Sequence, residues 1–489
     1  MSNFDFFIDG SIILVYLSLI LFTAFWLKKY ISNVDQFLVA NRSVDVYLGI
    51  ASLAATEFGI ATCMANAELG YKYGLKGIIP GIALGVSMLI VGLTGFCIKP
   101  LRNMAVITIP QLLEKKFGKK IRWASGLVIV IGGLLNMGLF LRQAGVFLSI
   151  TIGINTGYLE LLMTAIIIFV GFYTVIGGMV SVIITDYIQF VLMCFGFVTM
   201  TGILIYQFGW FQILDQTNDY LGPESLNLNM NYNYGLDRLL FDILVAFGSV
   251  LTWQTMTSRV LAAKDSTTAK NIYIATSPYM LMRFVIPVFF GISALYFFGP
   301  NTYIDGREIL AMPNMIAQLM PIGLIGIVVA SMLAADMSTN SSYLIAWSSV
   351  IYNDLLEPIH KNKWSSKKGL FYNRMLICCI GLFLLIYGLW YPLNNDLWVY
   401  MQVTGTIYLS SMTVLLIASC YFKNASTLGA GMSITIGAVI PLSYLILQEF
   451  SFSSDFIINI GPYMFGIFSF FISGLGMFVG SLITKIKST

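Results

Sequence analysis

About thirteen stretches of this chain are apolar for long enough to cross a hydrocarbon layer of ~30 Å. They lie at roughly 11–27, 46–69, 78–99, 122–151, 158–178, 180–207, 239–262, 272–298, 316–352, 371–391, 397–421, 428–447 and 460–484. No other property of the chain narrows its fold as far. Inside a bilayer every backbone N–H and C=O must find its partner within the protein, and for separate runs of this length the solution is the α-helix. The fold class expected is therefore an all-α integral membrane protein of about 13 transmembrane helices. Composition agrees: 58% of residues are hydrophobic and 10% charged, against roughly 45–50% and about 25% in soluble domains.

The charged residues between the runs give an orientation. If the N-terminus lies outside, twenty-one of the 27 Lys and Arg fall in cytoplasmic segments, among them Lys28, Lys29, Lys115, Lys116, Arg259 and Lys264. External loops keep Lys72, Lys76, Arg238 and Arg307, and Arg142 and Arg283 fall inside runs. The expectation is a multi-pass protein of the plasma (inner) membrane with its C-terminus cytoplasmic. Asp5 and Asp9 precede the first run and a Lys-Lys pair follows it, the reverse of a signal peptide, so it reads as a retained helix. The longest polar stretch, about 208–237, contains NLNMNYNYG and reads as an external lid too short for a core of its own.

Composition also removes whole classes of function. A net charge of +4 is too small and too scattered for a nucleic-acid surface. One histidine, His360 in a Lys-rich loop, excludes multi-histidine metal sites and His-dependent triads. Six cysteines lack metal-ligand spacing and read as small buried hydrophobes. With no nucleophile-base pair in view, the chain is not expected to be an enzyme.

Charges inside the runs are costly and mark function or a latch between helices. They are Glu57, Arg142, Asp186, Asp242, Arg283 and Asp336. Glu57 lies in SLAATEFGIATCMANAELG, where small and hydroxyl residues make a poor helix. A break there would free carbonyls beside a cavity, where they are natural ligands for a cation; the alternative is a small-residue face for close packing. Ser338 and Thr339 in ADMSTNSS offer two hard oxygens, or else bond back to preceding carbonyls.

Four segments give the chain a resemblance. DQFLVANRS at 35–43 and TIPQLLEKKFG at 108–118 look like the two first cytoplasmic loops of the sodium:solute symporter family, the sodium-driven sugar, proline, pantothenate and sialic-acid carriers. YTVIGGMVSVIITDYIQ at 173–189 resembles that family's Gly-Gly and T-D-x-x-Q signature. QTMTSRVLAAKD at 254–265 resembles its Q-R-x-x-A-A-K-D segment, with Ser258 in place of the usual Gln.

The resemblance implies a LeuT-type fold of two inverted five-helix repeats: an extra helix and loop at 1–45, repeats at 46–207 and 238–421 separated by the loop at 208–237, and two C-terminal helices at 422–489. It implies Na+ as coupling ion, held by the carbonyls of Ala55, Phe58 and Ala335 and the hydroxyls of Ser338 and Thr339, with Asp186 alongside as a secondary cation residue. Members with a second ion carry a hydroxyl at the position of Ala335; its absence favours one Na+ per cycle here, with Asp336 next door as the residue that could compensate for it. For the solute it points to Glu57, Thr62, Arg142, Gln143, Trp253, Gln254, Tyr400 and Gln402. Arg142 favours a small organic acid or zwitterion, provided that it and Glu57 face the cavity and do not simply pair. The expected activity is Na+-coupled symport by alternating access. An H+-coupled carrier and a transporter-like solute sensor stay open as alternatives. The partners expected are the solute and the lipid bilayer, with no nucleic acid and no obligate protein partner.

Overall fold

The computed structural model describes residues 2–30, 33–228, 234–304, 306–359, 364–391, 396–448 and 454–488. His360 and part of the Asn-rich run at 227–235 lie outside the described residues. Among those described there is no β-strand, only one parallel bridge between Val44 and Ala263.

The first helix, α1 (Ile8–Leu27), precedes an interrupted one, α2 (Val46–Thr56) and α3 (Ile60–Tyr73). Then come α4 (Ile79–Thr94), α5 (Lys119–Met137), α6 (Phe140–Ile152) and the fifty-residue α7 (Leu159–Phe208). A second interrupted helix follows, α8 (Leu236–Thr252) and α9 (Gln254–Ala262), then α10 (Ser266–Phe298), α11 (Leu324–Val350), α12 (Ser366–Trp390) and α13 (Leu397–Tyr421). The chain closes with α14 (Thr427–Leu447) and α15 (Ser454–Ser488), which pack on each other and on α13.

Eleven of the described helical segments are long and apolar enough to cross a membrane, against the thirteen expected. The difference lies in how bends are counted. Gly178 sits at φ 49°, ψ −159° inside α7, a conformation only glycine adopts readily, so two helices meet there. The segment Ile60–Thr94 likewise joins α3 to α4 through a 3-10 turn at Gly74–Ile78.

Local chemistry sets the helix ends. Asp45 caps α2 by accepting from the N–H of Leu48 (2.9 Å), and Asp265 caps α10 by accepting from that of Thr268 (2.7 Å). That hydrogen bond holds the Asp265 carboxyl below the usual carboxylate range. Asp9, fully buried, reaches across from α1 to accept from the N–H groups of Gly323 (2.7 Å) and Gly326 (2.8 Å) at the start of α11. The stretch expected to be a loop at 208–237 is largely helical, with Trp210–Leu221 packed against α10.

α10 lies along α3 and α4, and α7 lies along α11 and α2. Two glycines make the first crossing close. A Cβ on Gly70 would stand 2.2 Å from the carbonyl oxygen of Val288, and one on Gly291 would stand 1.9 Å from that of Ala67. Both obstacles are backbone, so neither can turn aside. Gly291→Ala should therefore push α10 off α3 and cost at least the ~1–3 kcal/mol of ordinary overpacking. Thermal unfolding of the detergent-purified variant measures this, and an unchanged midpoint would show that the crossing is looser than described.

The cysteine expectation holds for Cys63 and Cys97, which are buried. Cys194, Cys378 and Cys379 are exposed on outer faces, and Cys420 is intermediate. In a membrane protein an exposed apolar face is covered by lipid, so hydrophobicity alone does not place a residue inside.

Candidate functional site

Both interrupted helices break at the centre of the bundle. In the first, α2 ends at Thr56 and α3 begins after Gly59, which is extended at φ −92°, ψ 171°. In the second, Trp253 is the extended residue between α8 and α9, at φ −61°, ψ 120°. The two breaks touch: the hydroxyl of Thr255 in α9 donates to Glu57 Oε1 at 2.6 Å.

α11 passes the first break with the ADMSTNSS segment buried. The Thr339 hydroxyl donates to the Thr56 carbonyl at 2.8 Å, and the Ser338 hydroxyl donates to Asp186 Oδ1 at 2.5 Å. A Cβ on Gly59 would lie 2.9 Å from Thr339 Oγ1, so the absence of a side chain is what lets the two segments approach. Each hydroxyl spends its proton on a protein acceptor and keeps its lone pairs, the arrangement a hydroxyl needs to ligate a cation. Hydroxyl and carbonyl oxygens are the donor type that a hard monovalent ion takes. Ala55 and Ala335 are fully buried and Phe58 nearly so. Among the described residues no group of three or more His, Cys, Asp and Glu could hold a metal.

Asp186, on α7, joins the Ser338 hydroxyl to the rest of the bundle. It accepts from Ser52 at 2.6 Å and pairs with Arg259 at 3.2 Å. Arg259 was expected among the cytoplasmic loop charges. Instead it is 1% exposed, with hydrogen bonds to Ser52, Thr56, Ser258, Ser342 and Asp186. A charge count cannot separate a solvated arginine from one drawn inward by a buried carboxylate.

Beyond the break lies a cavity enclosing about 90 Å³. Of the residues expected at the solute, Glu57, Thr62, Trp253 and Gln402 line it, whereas Arg142, Gln143, Gln254 and Tyr400 are not among its lining residues. Arg142 donates to the carbonyls of Gly388 (3.3 Å) and Tyr391 (3.2 Å) at the end of α12. Tyr400 donates to the carbonyl of Leu135 at 2.6 Å and meets Tyr387. Gln143 and Gln254 are buried elsewhere.

The guanidinium in the cavity is that of Arg283, on α10, and it is this residue, not Arg142, that approaches Glu57, at 3.4 Å. Pro287, four residues on, has no N–H to offer the Arg283 carbonyl, which accepts instead from Asn66 at 3.0 Å. Asp242 also lines the cavity. It accepts from Gln402 Nε2 at 2.5 Å and from the Tyr234 hydroxyl. Trp253 is stacked on Tyr408 and donates to the Tyr343 hydroxyl at 2.9 Å, forming an aromatic wall. Sequence reasoning flagged Asp242 and Arg283 as intramembrane charges without placing them at the solute. Tyr343 sits four residues after Thr339 on a helix buried all round, which hides its direction.

Comparison with known proteins bears on this arrangement. The model of the sodium:solute symporter family matches residues 37–437. The high-affinity choline transporter 1 of Drosophila melanogaster is 26% identical over 88% of this chain and 70% of its own length. The sodium/pantothenate symporter of Haemophilus influenzae is 26% identical over 85% and 86%. The structure of a Na+-coupled sialic acid symporter, in a substrate-bound outward-open state, superposes with a TM-score of 0.81 at 19% identity and covers 98% of both chains. It shares the fold.

Proposed function

The chain belongs to the sodium:solute symporter family, integral multi-pass membrane proteins of Na+-coupled solute symport by alternating access, and we propose that one Na+ per cycle binds between the first break and α11. The ligands are the carbonyls of Ala55, Phe58 and Ala335 and the hydroxyls of Ser338 and Thr339, with Asp186 supplying negative charge beside them. One observation carries this reading: the Thr339 hydroxyl stands 2.8 Å from the Thr56 carbonyl, which brings α11 against the break between Ala55 and Phe58. The solute is a small organic acid or zwitterion held in the adjoining cavity. The two five-helix repeats at 46–207 and 238–421 rock about the site, with the N-terminus outside and the C-terminus in the cytoplasm of the plasma (inner) membrane.

Two ion-pair clusters support alternating access, because α4 crosses the bundle between them. On the side where α3 ends, Lys72 pairs with Glu68 (2.9 Å), Asp396 (2.5 Å) and Glu308 (3.7 Å), tying α3 to the start of α13. On the opposite side, Arg122 pairs with Asp354 (2.9 Å), Glu114 (2.7 Å) and Glu357 (3.6 Å), tying α5 to the turns at 351–359 that follow α11. Opening either side requires the pairs that run between its helices to part. Na+ biases this equilibrium only through unequal affinity for the two states, and the solute shares that bias by linkage.

The test is uptake into proteoliposomes from a panel of sugars, amino acids and monocarboxylates. Accumulation of one compound under an inward Na+ gradient, absent when K+ replaces Na+, is expected. Accumulation driven by a proton gradient without Na+ would replace this reading with H+ coupling.

A further inference from the structure

Two of the buried charges at the cavity are only partly engaged by their hydrogen-bond partners. Glu57, Asp242 and Arg283 line it, two carboxylates against one guanidinium. Arg283 reaches Glu57 through one nitrogen at 3.4 Å, beyond the ~2.7–3.2 Å of a well-formed N–H···O bond. Its Nε is buried without a partner. Glu57 is meanwhile satisfied by Thr255 at 2.6 Å. The Arg283 nitrogen that reaches Glu57 also donates to Met280 Sδ, a weak acceptor, at 3.7 Å. Five donors fixed in one plane are therefore spent on two long contacts, and a carboxylate that takes two of them side by side is the acceptor they fit best.

Asp242 has the opposite need. Its partners, the Tyr234 hydroxyl and the Gln402 amide, are both neutral. Arg238, four residues earlier, packs against the rings of Tyr73, Tyr234 and Tyr463; its charge acts on Asp242 from beyond ion-pair distance, and the two form no ion pair among the described residues. Gln402 Oε1, beside that carboxylate, is buried and lacks a donor. Tyr343 and Trp253 add ring faces that attract a cation.

Resting on the carrier reading above, we propose that the solute is a small zwitterion whose carboxylate is gripped by Arg283 and whose cationic end is held by Asp242 and Gln402. A simple organic acid would bring a second negative charge towards Asp242 and leave that carboxylate without an ion-pair partner. An organic cation would leave Arg283 on its long contacts to Glu57 and Met280. A neutral sugar would leave both charges buried without full compensation, which is costly.

The test is thermal stability of the purified full-length protein in Na+ or in K+, against the twenty L-amino acids, ω-amino acids and betaines, with glucose, lactate and choline as neutral, anionic and cationic probes. At least one zwitterion is expected to stabilise the protein only in Na+, and glucose, lactate and choline are not. Arg283→Gln and Asp242→Asn should each raise its half-saturating concentration at least tenfold while the stabilisation by Na+ alone persists, which also reports that each variant is folded. If no zwitterion stabilises the protein, or if both variants bind it as the parent does, the inference is overturned. Na+-dependent stabilisation by glucose or lactate alone would overturn it and leave the carrier reading standing. The carrier reading itself falls if Na+ changes nothing, with or without any compound.

Discussion

Thr339→Ala is expected to raise the Na+ concentration needed for half-maximal stabilisation by ~10- to 100-fold, because a hydrogen bond or ligand contact to a charged group is worth about 1.5–3 kcal/mol. The hydroxyl stands 2.8 Å from the Thr56 carbonyl, and nothing else among the described residues replaces it there. The fold should tolerate the change, since removing the donor leaves only one carbonyl at a helix break short of one partner. Thr339 is absent from the cavity lining, so any loss of solute affinity must arrive through Na+. Solute affinity at saturating Na+ should return to that of the parent. A Na+ titration followed by thermal unfolding, with and without solute, measures both effects; an unshifted titration removes Thr339 from the site.

The second large effect is on stability. Arg259→Met leaves Asp186 buried with only hydroxyl donors, Ser52 at 2.6 Å and Ser338 at 2.5 Å. Breaking a buried pair from one side costs ~3–5 kcal/mol, whereas replacing both partners by apolar residues is often neutral or better. The single variant should thus unfold far more readily than the parent, and Arg259→Met with Asp186→Leu should recover much of the loss. The double variant should nevertheless lose its response to Na+, because it removes the carboxylate that orients the Ser338 hydroxyl. Unfolding midpoints and Na+ response of the parent and both variants test this. A single variant as stable as the parent would mean that the Arg259 network contributes little to the fold.

These two residues also mark how far the sequence could be read. The helix break was legible at Glu57 because small, hydroxyl and glycine residues there weaken the helix, and Ser338 and Thr339 stood out as adjacent hydroxyls within an apolar run. Arg259 was misplaced because its neighbour Lys264 and its position near a loop make it look like any cytoplasmic charge. Only the fold brings Asp186, some seventy residues earlier, within 3.2 Å. Arg142 and Arg283 illustrate a different limit. Each is one charge in an apolar helix, and hydrophobic periodicity has no preferred face to report when lipid, protein and cavity are all contacted by apolar side chains. The structure turns Arg142 to the carbonyls of α12 and Arg283 to the cavity. The helices themselves were plain from run length, and their count differs only where Gly178 and the turn after Tyr73 bend a segment without ending it.

Equilibrium binding of radioactive sodium-22 to the purified protein tests the central claim most directly, comparing the parent with the Ser338→Ala, Thr339→Ala double variant. The account predicts saturable binding of one Na+ per chain in the parent, displaced by unlabelled Na+, and its loss in a double variant that remains folded. Saturable binding that survives in the double variant would contradict the assignment of the ion to the break between α2 and α3 and the hydroxyls of α11.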